Sequence, residues 1–221
     1  MYTTQKTGIK TIREKLGISA LDLSKRINVN ISVISSWEAG IGIIPSSTLK
    51  ELMKILNTSS EMILFGVERK ALNIDSLLEN QKLFIFHFYD LIKNSDTYKN
   101  TQNINFTKNS YFAHNTSEKI KYIREHILNV NQSEFGKMIN VTRGSVSNWE
   151  NGLSKPNLSH ISMICTICHI TTDYLLIDNH PLEISARDLS NDEYKIISDL
   201  IAFFHNKNNS EELWKIKFIH I

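Results

Sequence analysis

Four residues between positions 143 and 148 have the types and spacing to contact the edges of nucleobases. On a helix they would share one face, and they are Arg143, Gly144, Ser147 and Asn148. The Arg143 guanidinium can donate two hydrogen bonds to O6 and N7 of guanine, and the Asn148 amide can pair with adenine in the same way. Gly144 would let the backbone approach the groove, and Ser147 would supply a short contact. This row predicts base reading; the alternative is that Arg143 contacts a phosphate or only solvent.

The sequence around this row predicts the helix that must position it. Ser133 to Met138 have helix-forming types, with Phe135 and Met138 three apart on one apolar face, and Asn140 suits the left-handed residue of a tight turn. Thr142 can cap the next helix through its side-chain oxygen, in which Val146 and Trp149 turn inward. The polar row then faces outward on a rod of the width that the DNA major groove admits.

The same pattern occurs earlier in the chain, at a spacing of 112 residues. The identical pairs are Lys25 and Lys137, Ile27 and Ile139, Asn28 and Asn140, Val29 and Val141, Ser35 and Ser147, Trp37 and Trp149, Glu38 and Glu150, and Gly40 and Gly152. The start of each unit aligns at 111 instead, so that Arg13 corresponds to Arg124. The trailing apolar helix also aligns at 111, with Ile85 opposite Ile196. Such a repeat predicts two similar domains in one chain.

The second unit resembles the lambda-repressor-like family, also called the Cro or XRE type of helix-turn-helix. Gln132 matches the Gln that opens the first motif helix of that family, Val141 and Thr142 match its turn, and Glu150-Asn151-Gly152 match its closing residues. The resemblance runs from about residue 117 to residue 177. It implies five-helix domains and a double-stranded DNA operator as partner, and repressors of phages and other mobile elements often look similar.

A second set of residues is assigned to the DNA phosphates. Gln132 lies at a helix start, where its amide and the free backbone N–H groups can converge on an anion. The resemblance implies that Asn151 and Lys155 hold the neighbouring phosphate. The complete set is Gln132, Thr142, Asn151 and Lys155 in the second unit, with Lys25 and Asn30 in the first. Helix capping by Asn131 or Gln132 is the alternative, because it would look the same in sequence.

Two matching ion pairs are expected to be structural. Arg124 with Glu150, and Arg13 with Glu38, resemble the pair that ties the first helix of the family's domain to the end of its reading helix. We expect these pairs to organise geometry rather than to contact DNA. The tryptophan near the end of each reading helix is expected in the core.

The first unit departs from the family pattern on its outward face. Ala20 stands in place of the Gln, and Ala39 in place of the Asn. The outward row is Ile31, Ser32, Ser35 and Ser36, of which Ile31, Ser32 and Ser36 are assigned to base contact. Residues 6–54 still carry eight Lys or Arg against four Asp or Glu, which suits attraction to phosphate, and Ile31 can touch a thymine methyl. The unit is expected either to bind DNA with weaker specificity or to have been redirected to a protein.

Length and composition favour two small helical domains. The chain has 221 residues, 41% of them hydrophobic, with only three prolines and eight glycines, which argues against a turn-rich β fold. The predicted fold class is all-α, with two lambda-repressor-like five-helix domains, each followed by an extra apolar helix. The predicted segments are domain 1 at 1–70, an apolar helix at 71–95, a linker rich in Asn, Thr and Lys at 96–117, domain 2 at 118–178, and C-terminal helices at 179–221.

The apolar helix at 77–92 carries more hydrophobic surface than one stripe against a small domain requires. We expect it to pack against its counterpart around residues 196–204, within the chain or across a homodimer. The residues assigned to this dimerisation are Leu83, Phe86, Tyr89, Ile196, Leu200 and Phe203. The alternative is that the helix merely completes its own domain.

Cys165, Cys168 and His169 match the string that attaches c-type haem. The string lies in the predicted fourth helix, where both cysteines join a core stripe, so buried structural thiols are the preferred interpretation. A zinc site would lack a fourth ligand. No metal or cofactor is therefore expected.

These features predict a DNA-binding transcriptional regulator, a repressor rather than an activator, that works as a homodimer in the bacterial cytoplasm. The chain has no signal peptide and no run of eighteen apolar residues, so no membrane partner is expected. Control by a protein inducer is expected by elimination, since no ligand-sensing domain is left. The alternative is a protein-interaction module, an antirepressor or adaptor, that keeps the fold. An enzyme is disfavoured, because we find no phosphate loop, nucleophile elbow or other catalytic residues.

Overall fold

The helices follow the same order in the two halves of the chain. The computed structural model describes residues 7–41, 44–93 and 113–218, without the side chains of Ser46 and 209–218. The first unit contains α1 (Ile9–Lys15), α2 (Ala20–Arg26), α3 (Ile31–Glu38), α4 (Ser46–Leu56) and α5 (Ser60–Phe65), followed by β1 (Ala71–Asn73) and α6 (Glu79–Lys93). The second contains α7 (Thr116–Tyr122), a π-helical turn (Ile123–Ile127), α8 (Gln132–Met138), α9 (Arg143–Glu150), α10 (Leu158–Ile167) and α11 (Thr172–Leu176), followed by β2 (Glu183–Ser185) and α12 (Asn191–Phe218).

The helical tandem fold predicted from the sequence is confirmed. The prediction missed the short strands β1 and β2, which pair into a two-stranded sheet. The predicted linker, 96–117, lies outside the described residues except for positions 113–117.

Polar side chains determine where several helices begin. Ser19 accepts a hydrogen bond from the backbone of α2, and Thr142 accepts one from the backbone of α9, so the cap predicted at Thr142 is confirmed. Asn131 accepts from the N–H of Glu134, whose carboxylate accepts from the N–H of Asn131. This reciprocal capping pairs donors that a helix start otherwise leaves without partners.

Four left-handed turns of the first unit match four of the second residue for residue. Left-handed φ angles occur at Gly17 (67°) and Asn129 (50°), Asn28 (53°) and Asn140 (56°), Gly40 (73°) and Gly152 (70°), and Asn57 (46°) and His169 (52°). Each pair has the 112-residue spacing. The turn predicted at Asn140 is confirmed, and the two units share one backbone path.

The π-helical turn accounts for the one-residue difference in spacing at the start of the units. The left-handed residue Gly17 lies four positions after Arg13, whereas its equivalent, Asn129, lies five positions after Arg124. A π turn accommodates one extra residue within a helix, and here it surrounds Arg124. Both guanidinium groups still reach equivalent backbone carbonyls, those of Ile18 and Val130.

The core contains the residues that were expected to be structural. Trp37 and Trp149 are buried, as predicted. Cys165 and Cys168 are free and buried, and burial raises the pKa of both thiols above its ordinary value. They are therefore protonated, inert core residues, which agrees with the interpretation preferred from the sequence.

Contacts between the units repeat about an approximate two-fold axis. In the antiparallel sheet, Leu72 pairs with Ile184, its equivalent at the 112-residue spacing. The flanking pairs are Ala71 with Ser185 and Asn73 with Glu183. A residue of an antiparallel pair faces its own equivalent only where a two-fold axis passes between the strands. The sheet therefore lies on that axis.

The first turns of α5 and α11 meet across the two units in the same reciprocal way. The N–H of Ser60 donates to the Asp173 carboxylate (3.3 Å), and the N–H of Thr172 donates to the Glu61 carboxylate (2.9 Å). Each acid thus lies at the start of the other unit's helix, where the helix dipole favours negative charge. Arg69 lies 3.4 Å from Asp173 and offsets part of this buried charge.

The helices α6 and α12 form an antiparallel pair. Lys93 at the end of α6 lies 2.9 Å from Glu193 near the start of α12, and Gln81 exchanges hydrogen bonds of 2.9 Å with Asn208. The expected packing of the trailing helix against its counterpart occurs within the chain.

The spacing of 111 predicted for these helices is wrong, because both helix starts and both strands follow the 112-residue spacing. Burial agrees with the corrected alignment. The buried equivalents are Leu77 and Leu189, Ile85 and Ile197, and Tyr89 and Ile201. Of the residues assigned to dimerisation, Leu83, Phe86 and Tyr89 are buried within the chain, Leu200 is half-buried, and Ile196 and Phe203 are exposed.

Candidate nucleic-acid interface

The reading helix α9 has one buried and one exposed face. Val146 and Trp149 are buried, Ser147 is half-buried, and Arg143, Gly144 and Asn148 are exposed. Within the described ranges the Arg143 guanidinium forms no hydrogen bond or ion pair, so its donors remain available to a ligand. The structure therefore places the predicted base-reading row on one accessible face.

A close approach of α8 to the following turn sets the angle of α9. A Cβ atom at Gly136 would lie 2.7 Å from the carbonyl oxygen of Val141, so a residue with a side chain would push the turn away. The left-handed conformation of Asn140 completes the turn. In the second unit this approach leaves no room for a Cβ at position 136 unless the turn shifts.

Glu150 at the end of α9 receives hydrogen bonds from two other helices. Arg124 donates to both of its carboxylate oxygens (2.6 and 2.9 Å), and the Gln132 amide donates to one of them (2.8 Å). The hydrogen bonds with Glu150 raise the pKa of the Arg124 guanidinium above its ordinary value. In the first unit, Arg13 and Glu38 form the equivalent pair at 2.8 Å. Both expected ion pairs are therefore present and hold the reading helices.

The residues assigned to phosphate contact differ in exposure and in whether their side chains already form hydrogen bonds. One N–H of the Gln132 amide donates to Glu150, and the side chain is half-buried. Asn151 is exposed, and its amide donates to the backbone carbonyl of Ser147 at 2.9 Å. The remaining members are exposed: Thr142 as the cap of α9, Asn30 as the cap of α3, Lys25 and Lys155. The two lysines can meet phosphate by rotation of the side chain alone.

The outward row of α3 presents less hydrogen-bonding capacity than that of α9. The Ser36 hydroxyl donates to the carbonyl of Ser32 (3.0 Å), and the Ser32 hydroxyl donates to the Asn30 side chain (2.9 Å). Ile31 is 44% exposed. The first unit therefore offers a methyl-rich contact, with its serine donors already used.

An exposed apolar residue follows each reading helix, and sequence reasoning missed both. Ile41 is 75% exposed and Leu153 is 77% exposed, and they are equivalent at the 112-residue spacing. Their N–H groups bond back to the reading helices, at the carbonyls of Ser36 and Asn148. A single apolar residue in a loop has no periodicity, so its recurrence in both units was the only available signal.

The described part of the chain contains no group of three or more His, Cys, Asp or Glu residues that could hold a metal ion. Across the same residues, no helix is both long and apolar enough to cross a membrane.

Two helical units, each with a capped helix that is buried on one side and exposed on the other, define a tandem helix-turn-helix protein. A family model described as "Helix-turn-helix" matches the chain twice, at residues 9–63 and 120–175. The chain belongs to this family, of the Cro/C1 type, and is a DNA-binding regulator in the general sense of that family. No curated protein and no solved structure matches the chain significantly.

Proposed function

We propose that the protein is a transcriptional repressor whose second unit reads operator bases with α9. The division of α9 carries the proposal: Val146 and Trp149 anchor the helix in the core, and Arg143 and Asn148 are exposed on it. A helix fits the major groove, where a guanidinium can distinguish guanine from the other bases. Lys155 and Asn151, just beyond α9, would contact the neighbouring phosphates.

The approximate two-fold axis supports the binding of one chain to two half-sites. A two-fold rotation keeps equivalent elements at the same level along the axis, so α3 and α9 would lie at one level and could both meet a duplex that shares this axis. B-DNA has two-fold axes of its own, and dimeric helix-turn-helix proteins read half-sites about 34 Å apart. In this proposal one chain supplies both reading helices, and the contacts of α5 with α11 and of β1 with β2 set their separation.

The unlike reading helices imply an operator with two unlike halves. Arg143 and Asn148 on α9 would select guanine and adenine by hydrogen bonds. Ile31 on α3 would contact thymine methyl groups, and Lys25 would contribute attraction to phosphate that does not depend on sequence. We therefore expect strong base preference in one half-site and weak preference in the other.

Repression is the mode of action that we favour. A chain bound to two successive grooves covers one face of the duplex and excludes other proteins without any further contact. Activation would require a separate surface for the transcription machinery. Release by a protein inducer is part of the proposal.

One feature of the first unit favours a second candidate, an adaptor that binds protein through α3. Ile31 is exposed. The Ser32 hydroxyl donates to the cap residue at the start of α3, and the Ser36 hydroxyl donates to a backbone carbonyl within the helix. Such a surface suits an apolar partner better than base edges.

Selection of random duplexes by the full chain, followed by hydroxyl-radical footprinting of the selected sequence, tests the proposal. We expect two protected segments about one helical turn apart, with sharper base preference in the segment read by α9. Arg143→Ala should relax the preference there and leave the other segment unchanged, and Ile31→Ala should do the reverse. If the chain retains no duplex even at low salt, the repressor proposal fails and the adaptor is favoured.

A further inference from the structure

The α6/α12 helix pair exposes four large apolar side chains. Phe84 is 51% exposed, Leu91 71%, Ile196 51% and Phe203 60%. They form two equivalent pairs, Phe84 with Ile196 and Leu91 with Phe203, each at the 112-residue spacing. We call these four residues, with the half-buried Phe88 and Leu200 between them, the outer patch. The repeat has therefore built the same exposed surface twice.

The outer patch is not required to hold α6 and α12 in place. Their inner faces already bury Ile85, Tyr89, Ile197 and Ile201. One edge of the patch continues into that packing, because the ring of Phe84 lies edge-on to Phe204 with centroids 5.9 Å apart. The exposed side chains are a second apolar face on helices that already have one.

The spacing of the outer patch is that of helices in a bundle. On α6 the residues are 84, 88 and 91, and on α12 they are 196, 200 and 203. Steps of four and three residues keep side chains in line along one side of a helix. Two such helices side by side present the half of a four-helix bundle.

The size of the outer patch matches an interaction surface. Four large side chains that are half exposed or more present on the order of 400 Å² of apolar area, and patches of this size on soluble proteins usually mark a binding surface. With a polar rim, the area approaches the roughly 800 Å² per partner of a standard interface.

We propose that the outer patch binds the outer patch of a second copy of the chain. An interface between identical copies requires a surface that is complementary to itself under a two-fold rotation, and the repeat supplies equivalent residues on both helices. Two ion pairs beside it are formed within the chain, Lys195 with Asp199 at 2.6 Å and Lys93 with Glu193 at 2.9 Å. These two pairs add no net charge to the rim. The assembly carries four helix-turn-helix units, which goes beyond the proposed function and does not depend on it.

Sedimentation equilibrium of the full chain without DNA tests this inference. We expect a species of twice the 25.5 kDa chain mass at micromolar concentration. Phe203→Asp and Leu91→Asp should each weaken association at least tenfold, because each buries an unpaired carboxylate in the interface. Both positions are exposed, so circular dichroism should show unchanged helicity and melting.

Leu153→Asp is the matched control, since Leu153 is at least as exposed but follows the reading helix α9. It should leave the association constant unchanged. A monomer at 100 µM, an unaffected Phe203→Asp variant, or equal weakening by Leu153→Asp would each overturn the inference. DNA retention is measured separately, so failure of the outer patch is distinguishable from failure of the repressor proposal.

Discussion

Arg124 donates to both carboxylate oxygens of Glu150, at 2.6 and 2.9 Å, and the two side chains are nearly buried. The pair joins the π-helical turn after α7 to the last residue of the reading helix α9. Because α9 is also held by the tight turn after α8, the ion pair fixes its far end. The orientation of the base-reading row therefore depends on a residue pair that does not itself face the groove.

Removal of one partner of this pair should be strongly destabilising. For Arg124→Met we expect a loss of about 3–5 kcal/mol in the free energy of unfolding, because Glu150 would remain buried without its cation. Arg124→Met combined with Glu150→Gln should cost less than Arg124→Met alone. Urea denaturation of the two variants measures both. A single-variant loss below about 1 kcal/mol would contradict the structural role.

Gly136 and Gly144 should respond oppositely to alanine. Gly136→Ala should lower the free energy of unfolding by about 1–3 kcal/mol, because its Cβ would meet the carbonyl of Val141 at 2.7 Å. A Cβ atom at position 144 would meet only the Thr142 side chain, at 3.7 Å. For Gly144→Ala the free energy of unfolding should therefore be unchanged or rise by up to about 1 kcal/mol. DNA affinity should nevertheless fall, since in the proposed complex the added methyl group would face the groove. Equal melting temperatures for the two variants would contradict this account.

Arg143→Ala should cost roughly 1–3 kcal/mol of binding free energy on the selected operator and relax preference at one base pair. The reason is the loss of a bidentate contact that one base alone satisfies. Titrations against operators substituted at each position measure it. Equal loss on every sequence would make Arg143 a phosphate contact.

Lys155→Ala should weaken binding to all sequences by the same factor. One phosphate contact fewer releases one counterion fewer, so the slope of log affinity against log salt should fall by about one. Titrations between 50 and 200 mM salt, about the range over which the slope is usually measured, provide the test. An unchanged slope would place Lys155 outside the interface.

Lys119 should make stability depend on alkaline pH. Its ammonium donates to the carbonyls of Tyr174 and Ile177, both at 2.7 Å, and burial lowers its pKa from 10.5 to about 8. Between these values the unfolded chain holds a proton that the folded chain has released, so the free energy of unfolding contributed by this group rises with pH. Below pH 8 the contribution is constant.

The measurement compares the wild-type chain with Lys119→Met at pH 7.5 and pH 9.5. The difference in unfolding free energy should shift in favour of the wild-type chain at the higher pH. The absence of a shift would mean that Lys119 remains charged in the folded protein throughout this range, as it does in the unfolded chain.

Local signals in the sequence were sufficient to predict the repeated unit. Ser19 and Thr142 have the residue types of helix caps, Asn140 that of a left-handed turn, and Trp149 falls on the inward side of its helix. Each of these features is determined within a few residues of the chain. The same holds for the exposed row of α9, which is the opposite face of the same helix.

Contacts between distant residues could not be predicted in this way. The three-residue strands are too short to show the alternation of polar and apolar residues that marks a strand. The pairing of Leu72 with Ile184 depends on the other half of the chain. Lys119 is buried although lysine is normally exposed, because two carbonyls of the α11 region meet its ammonium. The hydrogen bond from the Gln132 amide to Glu150 likewise joins two helices and had no local signal in the sequence.

In the proposed complex, the pairing of two similar units with unlike reading helices would give the molecule a polarity on the duplex. A dimer of identical subunits on a palindrome looks the same from either direction along the DNA. A chain bound in the reverse orientation would place Ile31 against the bases that suit Arg143, so one of the two orientations along the DNA would be preferred. The operator would thereby specify which way the protein points as well as where it lies.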